Sequence, residues 1–173
     1  NKNIKTFFLN KNKGPGFCRN YGMRVSSSKY IAFIDSDDIW LKNKLETQLK
    51  FMKKNDLEFS YSDYVPFIQK GNDRKMLNRT NLKNRFGFSE FILNSSINSS
   101  TMIILRKIIK NLKFKNIKKL EDYLFKCQIL KKGFVAFKVN DSLAYYRISD
   151  GSRSSSKIKN IVYLWNINKK YNK

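Results

Sequence analysis

The chain has 173 residues, 41% of them hydrophobic, which suits a single domain with a real core. Its 36 Lys and Arg against 13 Asp and Glu give a formal net charge of +23, which points either to an anionic partner (nucleic acid, an acidic membrane surface, a phosphorylated small molecule) or merely to a solvated lysine-rich surface. With no His, and with two cysteines that lack CxxC spacing, a zinc site is not expected, and no apolar run approaches the ~20 residues of a membrane span.

The chain opens NKNIKTFFLN, without Met. Residues 4–9 read as a strand entering mid-fold, so the chain is expected to be the later part of a longer domain. Residues 10–16, with Gly-Pro-Gly punctuation, read as a loop. Residues 17–27 read as a helix with Cys18, Tyr21, Gly22 and Val25 along one side. Cys18 and Cys127 both sit in apolar contexts and are expected to be small buried thiols. After the turn SSSK comes an apolar strand over 30–34. Leu41, Leu45, Leu49 and Met52 then recur at helical spacing, which predicts an amphipathic helix over 41–54.

Residues 57–65 alternate and predict a strand. Residues 66–88 are polar, basic and Gly-punctuated, and read as a loop region. A short helix is predicted over 88–94, a strand over 99–105 and a helix start at 106–112. A second clear helix covers 120–132, with Leu120, Leu124, Cys127 and Leu130 inward. Two strands, 134–139 and 142–148, close the sheet. The tail, 157–173, carries Ile158, Ile161, Val162, Leu164 and Trp165 among Lys and Asn, and reads as a basic amphipathic helix that follows a domain over 1–156. This alternation of strands and helices predicts an α/β sheet covered by helices on its faces.

The most informative stretch is YIAFIDSDDIWL, residues 30–41, where an apolar strand runs into Asp35, Asp37 and Asp38. Ligands of open α/β sheets bind at the carboxyl ends of strands. Asp35 and Asp37 flank Ser36, so an extended backbone sends both to one side, as a hard cation such as Mg²⁺ or Mn²⁺ requires. The alternative is that Asp38 caps the following helix and the others are solvated.

The segment NKGPGFCRNYGMRVSSSKYIAFIDSDDIWLKNKLETQL resembles the nucleotide-binding half of family 2 glycosyltransferases of the GT-A fold. That family's pattern is an Asn-x-Gly loop, Ala-Arg-Asn, a small-residue turn, a strand ending Asp-x-Asp-Asp, and a helix with Lys-Leu-Glu. Position 18 departs from it, with Cys in place of Ala. KKLEDYLFKCQILKKG, residues 118–133, resembles the family's Glu-Asp segment, and FSYSDY and SSTMIILRKII resemble intervening strands. The resemblance implies a GT-A-type nucleotide-sugar-binding fold, a central mixed sheet flanked by helices, here lacking the first β-α elements that would precede residue 1. In YRISDGSRS the family's frequent Tyr-Arg-x-His reads Ser149 at the last position, so any metal or diphosphate contact made by that His is lost or passes to Ser149, Asp150 or a water.

The implied activity is inverting transfer of a sugar from a nucleotide diphosphate to an acceptor hydroxyl, in surface polysaccharide or glycan synthesis. Asp37 with Asp35 would hold the metal, and Asp35, Asp38, Arg19, Asn20, Lys13 and Arg147 would bind the nucleotide-sugar. Arg19 and Asn20 have a second option, locking the Gly-rich loop by hydrogen bonds. Asp122 is the candidate general base and Glu121 the runner-up, since adjacent helical residues point about 100° apart. Both acids would also favour the positive end of their helix without any catalytic role. Trp40 either lines the sugar pocket or packs in the core. The implied partners are the nucleotide-diphosphate sugar, a glycan or lipid-linked acceptor and an anionic membrane surface, which places the protein in the cytoplasm or peripherally at the inner face of the membrane. Two other readings remain: a basic nucleic-acid-binding module, for which no signature is recognised, and an inactive partial domain.

Overall fold

The computed structural model describes residues 4–149 and 157–171, with side chains of the last helix described from Val162 onward. The elements in chain order are α1 (Pro15–Val25), β1 (Tyr30–Ala32), β2 (Ile39–Trp40), α2 (Lys44–Lys54), β3 (Phe59–Lys70), β4 (Asp73–Met76), β5 (Arg85–Phe86), α3 (Phe88–Leu93), a 3₁₀ turn (Ser99–Thr101), β6 (Ile103–Leu105), α4 (Arg106–Ile109), α5 (Glu121–Leu130), β7 (Ala136–Ile148) and α6 (Lys157–Tyr171). The strands form one mixed sheet in the order β1-β6-β3-β7-β2, with β4 pairing β3 and β5 pairing β7. The β3–β7 pair is parallel, and the remaining pairs are antiparallel.

Topology places the site. Because β6 runs antiparallel to β1, the 3₁₀ turn that feeds β6 lies at the same end of the sheet as the acids that leave β1. β2 pairs with β7 through Ile39 and Tyr145, so the acidic turn between β1 and β2 is stretched across that end. Local chemistry sets the helices on either side. Pro15 occupies the first turn of α1, where its missing N–H costs nothing. Glu121 and Asp122 open α5, next to its exposed N–H groups.

The core is heavily aromatic. Phe114 and Phe125 stack at 4.0 Å between ring centroids, and Phe33 meets both edge-on. These three rings tie the end of β1 to α5, each burial contributing roughly 1.5–3 kcal/mol. Asn20 on α1 completes the join: its Nδ2 donates to the Phe114 carbonyl at 2.9 Å and its Oδ1 accepts from the Phe114 N–H at 2.8 Å.

Several expectations are corrected. Residues 4–9 form no strand, and Ile4, Phe7, Phe8 and Leu9 are exposed, since no described strand offers them a ladder. Cys18 is exposed on a helix that buries none of its residues, whereas Cys127 is buried as expected. In α2 the inward line is Lys44, Gln48 and Met52, and Leu45 faces water. Residues 66–88 are not one loop, because β3 continues to Lys70 and turns at Gly71 into the exposed strand β4. The strands expected at 134–139 and 142–148 are a single strand, β7, whose pairing with β3 absorbs irregularities at Ser62, Asp63 and Val65.

α6 forms as expected, and one side of it packs on the domain. Ile167 joins the core, Leu164 packs against it, and Asn168 Oδ1 accepts from the Tyr123 hydroxyl at 2.6 Å. Val162 and Trp165 face out, 54% and 63% exposed, with Lys169 Nζ 5.2 Å from the Trp165 ring centroid. The side chains of Ile158 and Ile161 lie outside the described residues.

Candidate active site

Arg19 is the centre of the arrangement. It lies on α1, immediately after the Gly-Pro-Gly loop, with only 12% of its side chain exposed. Its Nη2 donates to Asp35 Oδ1, and its Nη1 reaches Glu121 Oε1 at 3.4 Å. One guanidinium thus joins the acids that end β1 to the acids that open α5. Burial works against the charge, but Asp35, Asp122 and Glu121 together outweigh it and raise the Arg19 pKa further. Gly16 permits this approach, since a Cβ there would stand 3.2 Å from Glu121 Cγ.

The three acids after β1 have different environments. Asp35 is half-buried and bound to Arg19, and its backbone N–H donates to Ser100 Oγ at 3.0 Å. Asp37 is exposed, and its carboxylate makes no hydrogen bond or ion pair among the described residues. Asp38 is buried, with Oδ1 accepting from the Arg147 N–H at 3.0 Å and Oδ2 left without a partner. Burial pushes the Asp38 carboxyl above its ordinary range, against the opposing hydroxyl of Ser100 and N–H of Arg147.

Arg147 braces this turn from β7, donating from Nε to the Asp37 carbonyl at 3.1 Å, with its guanidinium 5.1 Å from the Phe67 ring centroid. Ser149 follows, exposed, and Asp150 lies outside the described residues. Trp40 donates from Nε1 to the Ser100 carbonyl at 2.6 Å and carries Lys44 Nζ against its ring, so it acts as a fastener beneath the turn. Lys13 is exposed on a cleft of about 710 Å³ that also involves Phe17, Lys115, Lys118 and Glu121. Both functional groups of the Asn20 amide are engaged by the Phe114 backbone, so its side chain ties α1 to the segment before α5 and makes no bond to the Gly-Pro-Gly loop.

On α5, Glu121 is buried beside Arg19, while about a third of the Asp122 side chain reaches solvent. Asp122 Oδ2 accepts from Lys126 Nζ at 2.8 Å and from the Ser99 hydroxyl at 3.2 Å. Burial alone would raise the Asp122 pKa, but Lys126, with help from Arg19 and the Tyr123 N–H, holds it down to about 2. The nitrogen of Lys126 also donates to the Ile97 carbonyl at 2.7 Å.

Sequence reasoning missed Ser99, Ser100, Lys126, Lys44 and Gln48. Lys126 carries a legible signal, standing one helical turn after Asp122. Lys44 and Gln48 share that spacing, but their polarity disguises a buried face.

The model of one family, described as "Glycosyl transferase family 2", matches residues 1–112. The chain belongs to that family. Among curated members, the Escherichia coli UDP-Glc:alpha-D-GlcNAc-diphosphoundecaprenol beta-1,3-glucosyltransferase WfaP is 34% identical over 155 residues, 90% of this chain and 60% of WfaP. The Bacillus subtilis (strain 168) glycosyltransferase TuaG, provisionally named for teichuronic acid biosynthesis, is 32% identical over 162 residues, 94% of this chain and 64% of TuaG. The chain therefore spans less than two thirds of the length of these family 2 relatives. The crystal structure of S. aureus TarS 1-349 in complex with UDP-GlcNAc superposes with a TM-score of 0.71 at 19% identity, covering 95% of this chain and 49% of that one. The fold of this family 2 chain is accordingly the GT-A type, with a mixed sheet flanked by helices.

Among the described residues no group of three or more His, Cys, Asp or Glu is placed to hold a metal ion, and no helix is long and apolar enough to cross a membrane. Asp37 alone suits a hard cation that completes its shell with water and substrate phosphates. Asp35 is a poorer ligand, since its Oδ1 is already held by Arg19.

Proposed function

We propose that this chain carries the acidic half of the site of an inverting glycosyltransferase, which moves a sugar from a nucleoside-diphosphate donor to an acceptor hydroxyl in surface polysaccharide or glycan synthesis. The observation that carries the reading is Arg19, whose single guanidinium links Asp35 to Glu121 and draws two distant acidic segments into one site.

In this reaction the acceptor oxygen attacks the anomeric carbon, the bond from that carbon to the diphosphate breaks, and the acceptor's proton passes to a carboxylate. Asp122 fits the last task better than Glu121, being the more accessible of the two and paired with Lys126, whereas Glu121 is paired with Arg19. A divalent cation, Mg²⁺ or Mn²⁺, bound by Asp37 and the donor phosphates, would supply Lewis-acid stabilisation of the leaving diphosphate. Asp38 Oδ2, buried without a partner, fits a donor hydroxyl that arrives with the nucleotide. Arg147 holds the turn that presents Asp37 and Asp38, and Lys13 offers positive charge at the neighbouring cleft.

The relatives' names support this choice of substrates. A lipid-linked acceptor agrees with the WfaP name, a surface polymer with TuaG, and a UDP-sugar donor with the TarS complex.

Calorimetry of the full chain with UDP, UDP-glucose and UDP-N-acetylglucosamine, with and without Mn²⁺, tests the reading. Asp37→Asn should remove the metal-dependent part of binding. Asp122→Asn should leave binding within about twofold and cut turnover about 100-fold or more, with Glu121→Gln costing less. Unchanged affinity and metal dependence in Asp37→Asn, or normal turnover in Asp122→Asn, would show the assignment to be wrong.

A further inference from the structure

Two consecutive serines stand between the acids of β1 and those of α5. Ser99 and Ser100 lie on the 3₁₀ turn, 4% and 1% exposed. The Ser99 hydroxyl donates to Asp122 Oδ2, and Ser100 Oγ accepts the Asp35 N–H at 3.0 Å. The Ser100 carbonyl accepts from Trp40, the residue that closes the acidic turn. The donor-side and base-side acids are thus fixed to neighbouring residues of a single turn.

That turn is itself held from every side. Asn98 Oδ1 accepts from the Ser100 N–H at 2.7 Å, and its carbonyl accepts from the Thr101 hydroxyl at 2.8 Å. Below, the Thr101 carbonyl accepts from Lys44 Nζ at 3.2 Å and from Gln48 Nε2 at 3.0 Å, and Gln48 also donates to Ser60 on β3. At the entrance, the Ile97 carbonyl accepts from Lys126, the residue that also pairs with Asp122. The first two buried residues of α2, Lys44 and Gln48, are polar and grip this turn. A purely apolar face would leave the Thr101 carbonyl buried without a donor, at a cost of about 1–3 kcal/mol.

We propose that Ser99 and Ser100 are the positioning pair of this site, setting the distance and orientation between the donor-binding acids and the base. The proposal rests on the glycosyltransferase reading above. Ser99 and Lys126 both act on Oδ2 of Asp122, which fixes the carboxyl plane and leaves Oδ1 outside that pair of contacts. Ser100 fixes the backbone from which Asp35 and its neighbours project. An error of an ångström between these centres is the kind of change that costs a transfer reaction up to about 10²-fold.

The two serines therefore predict different losses. The probe is whichever of a panel of UDP-, GDP- and dTDP-sugars the full chain hydrolyses fastest, followed by nucleotide release, with folding checked by urea midpoints. Ser99→Ala should lower kcat about tenfold while donor affinity and KM stay within twofold, and Ser99→Thr should restore most of the rate. Ser100→Ala should weaken donor binding several-fold along with turnover. A variant with wild-type kinetics at either serine, or equal effects of Ser99→Ala on KM and kcat, would overturn the proposal. Asp122→Asn serves as the reference: normal turnover there removes the functional reading itself, whereas an inactive Asp122→Asn beside an unaffected Ser99→Ala removes only the positioning claim.

Discussion

Lys126 is the side chain whose replacement says most about the base. It is 2% exposed, and its nitrogen is shared between Asp122 and the Ile97 carbonyl. Lys126→Met keeps the bulk and removes the charge. With the ion pair gone, burial is opposed by Arg19, the Tyr123 N–H and the Ser99 hydroxyl alone, so Asp122 should titrate closer to its ordinary 3.8 instead of at about 2. A change of up to about two pKa units corresponds to ~2.7 kcal/mol at most, at 1.36 kcal/mol per unit. About a third of the Asp122 side chain reaches solvent, which reduces this to about 1–2 kcal/mol. The orphaned Ile97 carbonyl adds about 1 kcal/mol.

The sign of the pH effect follows from the depressed folded pKa. The contribution from Asp122 is complete above its unfolded value near 3.9 and is lost as pH falls through about 2. The stability gap between wild type and Lys126→Met should be constant above pH ~5 and should narrow below pH ~4. Carbon-13 NMR of the Asp122 carboxyl reads the midpoint directly, and urea unfolding reads the gap. The acid limb of the rate profile should move up by the same two units or so, since a more basic carboxylate is also protonated sooner. If Asp122 in Lys126→Met still titrates below pH 3, the ion pair is not what sets its acidity and the reasoning fails.

Two further predictions concern other parts of the molecule. Burial pushes Lys44 down to about 7, so between pH ~7 and ~10 the unfolded chain binds more protons than the folded one, and wild-type stability should rise through that window relative to Lys44→Met; parallel urea midpoints for the two proteins from pH 6.5 to 9.5 would count against it. Val162 and Trp165 are exposed on a helix carrying Lys169 and Lys170, a composition suited to an anionic membrane surface at about 1 kcal/mol per Lys; the chain should co-sediment with anionic vesicles and lose that binding in Trp165→Ser, and equal sedimentation with neutral vesicles would refute an electrostatic anchor.

The acidic cluster was legible because an apolar run that ends abruptly in three carboxylates leaves few alternatives, and Glu121-Asp122 was legible as the charged opening of a helix. The devices that hold them were not. Periodicity placed α2 correctly but turned it the wrong way, since Leu45 looks like core and Lys44 looks like surface, while the fold buries Lys44 to supply a donor for the Thr101 carbonyl. Asn140-Asp141 read as a break between two strands, but a parallel partner with shifted register carries β7 straight through. The strand β4 is exposed along its whole length, so no alternation could mark it. Residues 4–9 have strand composition, but composition cannot supply a neighbouring ladder.

The long parallel pairing of β3 with β7 also governs when the site comes into being during folding. Ser60 meets Phe137, and Ile68 meets Ile148, partners so distant in sequence that loop closure must precede any gain from their hydrogen bonds, the situation in which folding is slow. Arg147, which braces the acidic turn, lies near the end of that last strand. A chain emerging from the ribosome would have Arg19 and Asp35 available long before Arg147 could support the turn. The central sheet would stand open meanwhile, with Phe59, Tyr61 and Ile104 unprotected, and such intermediates are prone to self-association. Yield on expression should therefore respond to temperature and to chaperone supply more than the equilibrium stability of the finished sheet would suggest.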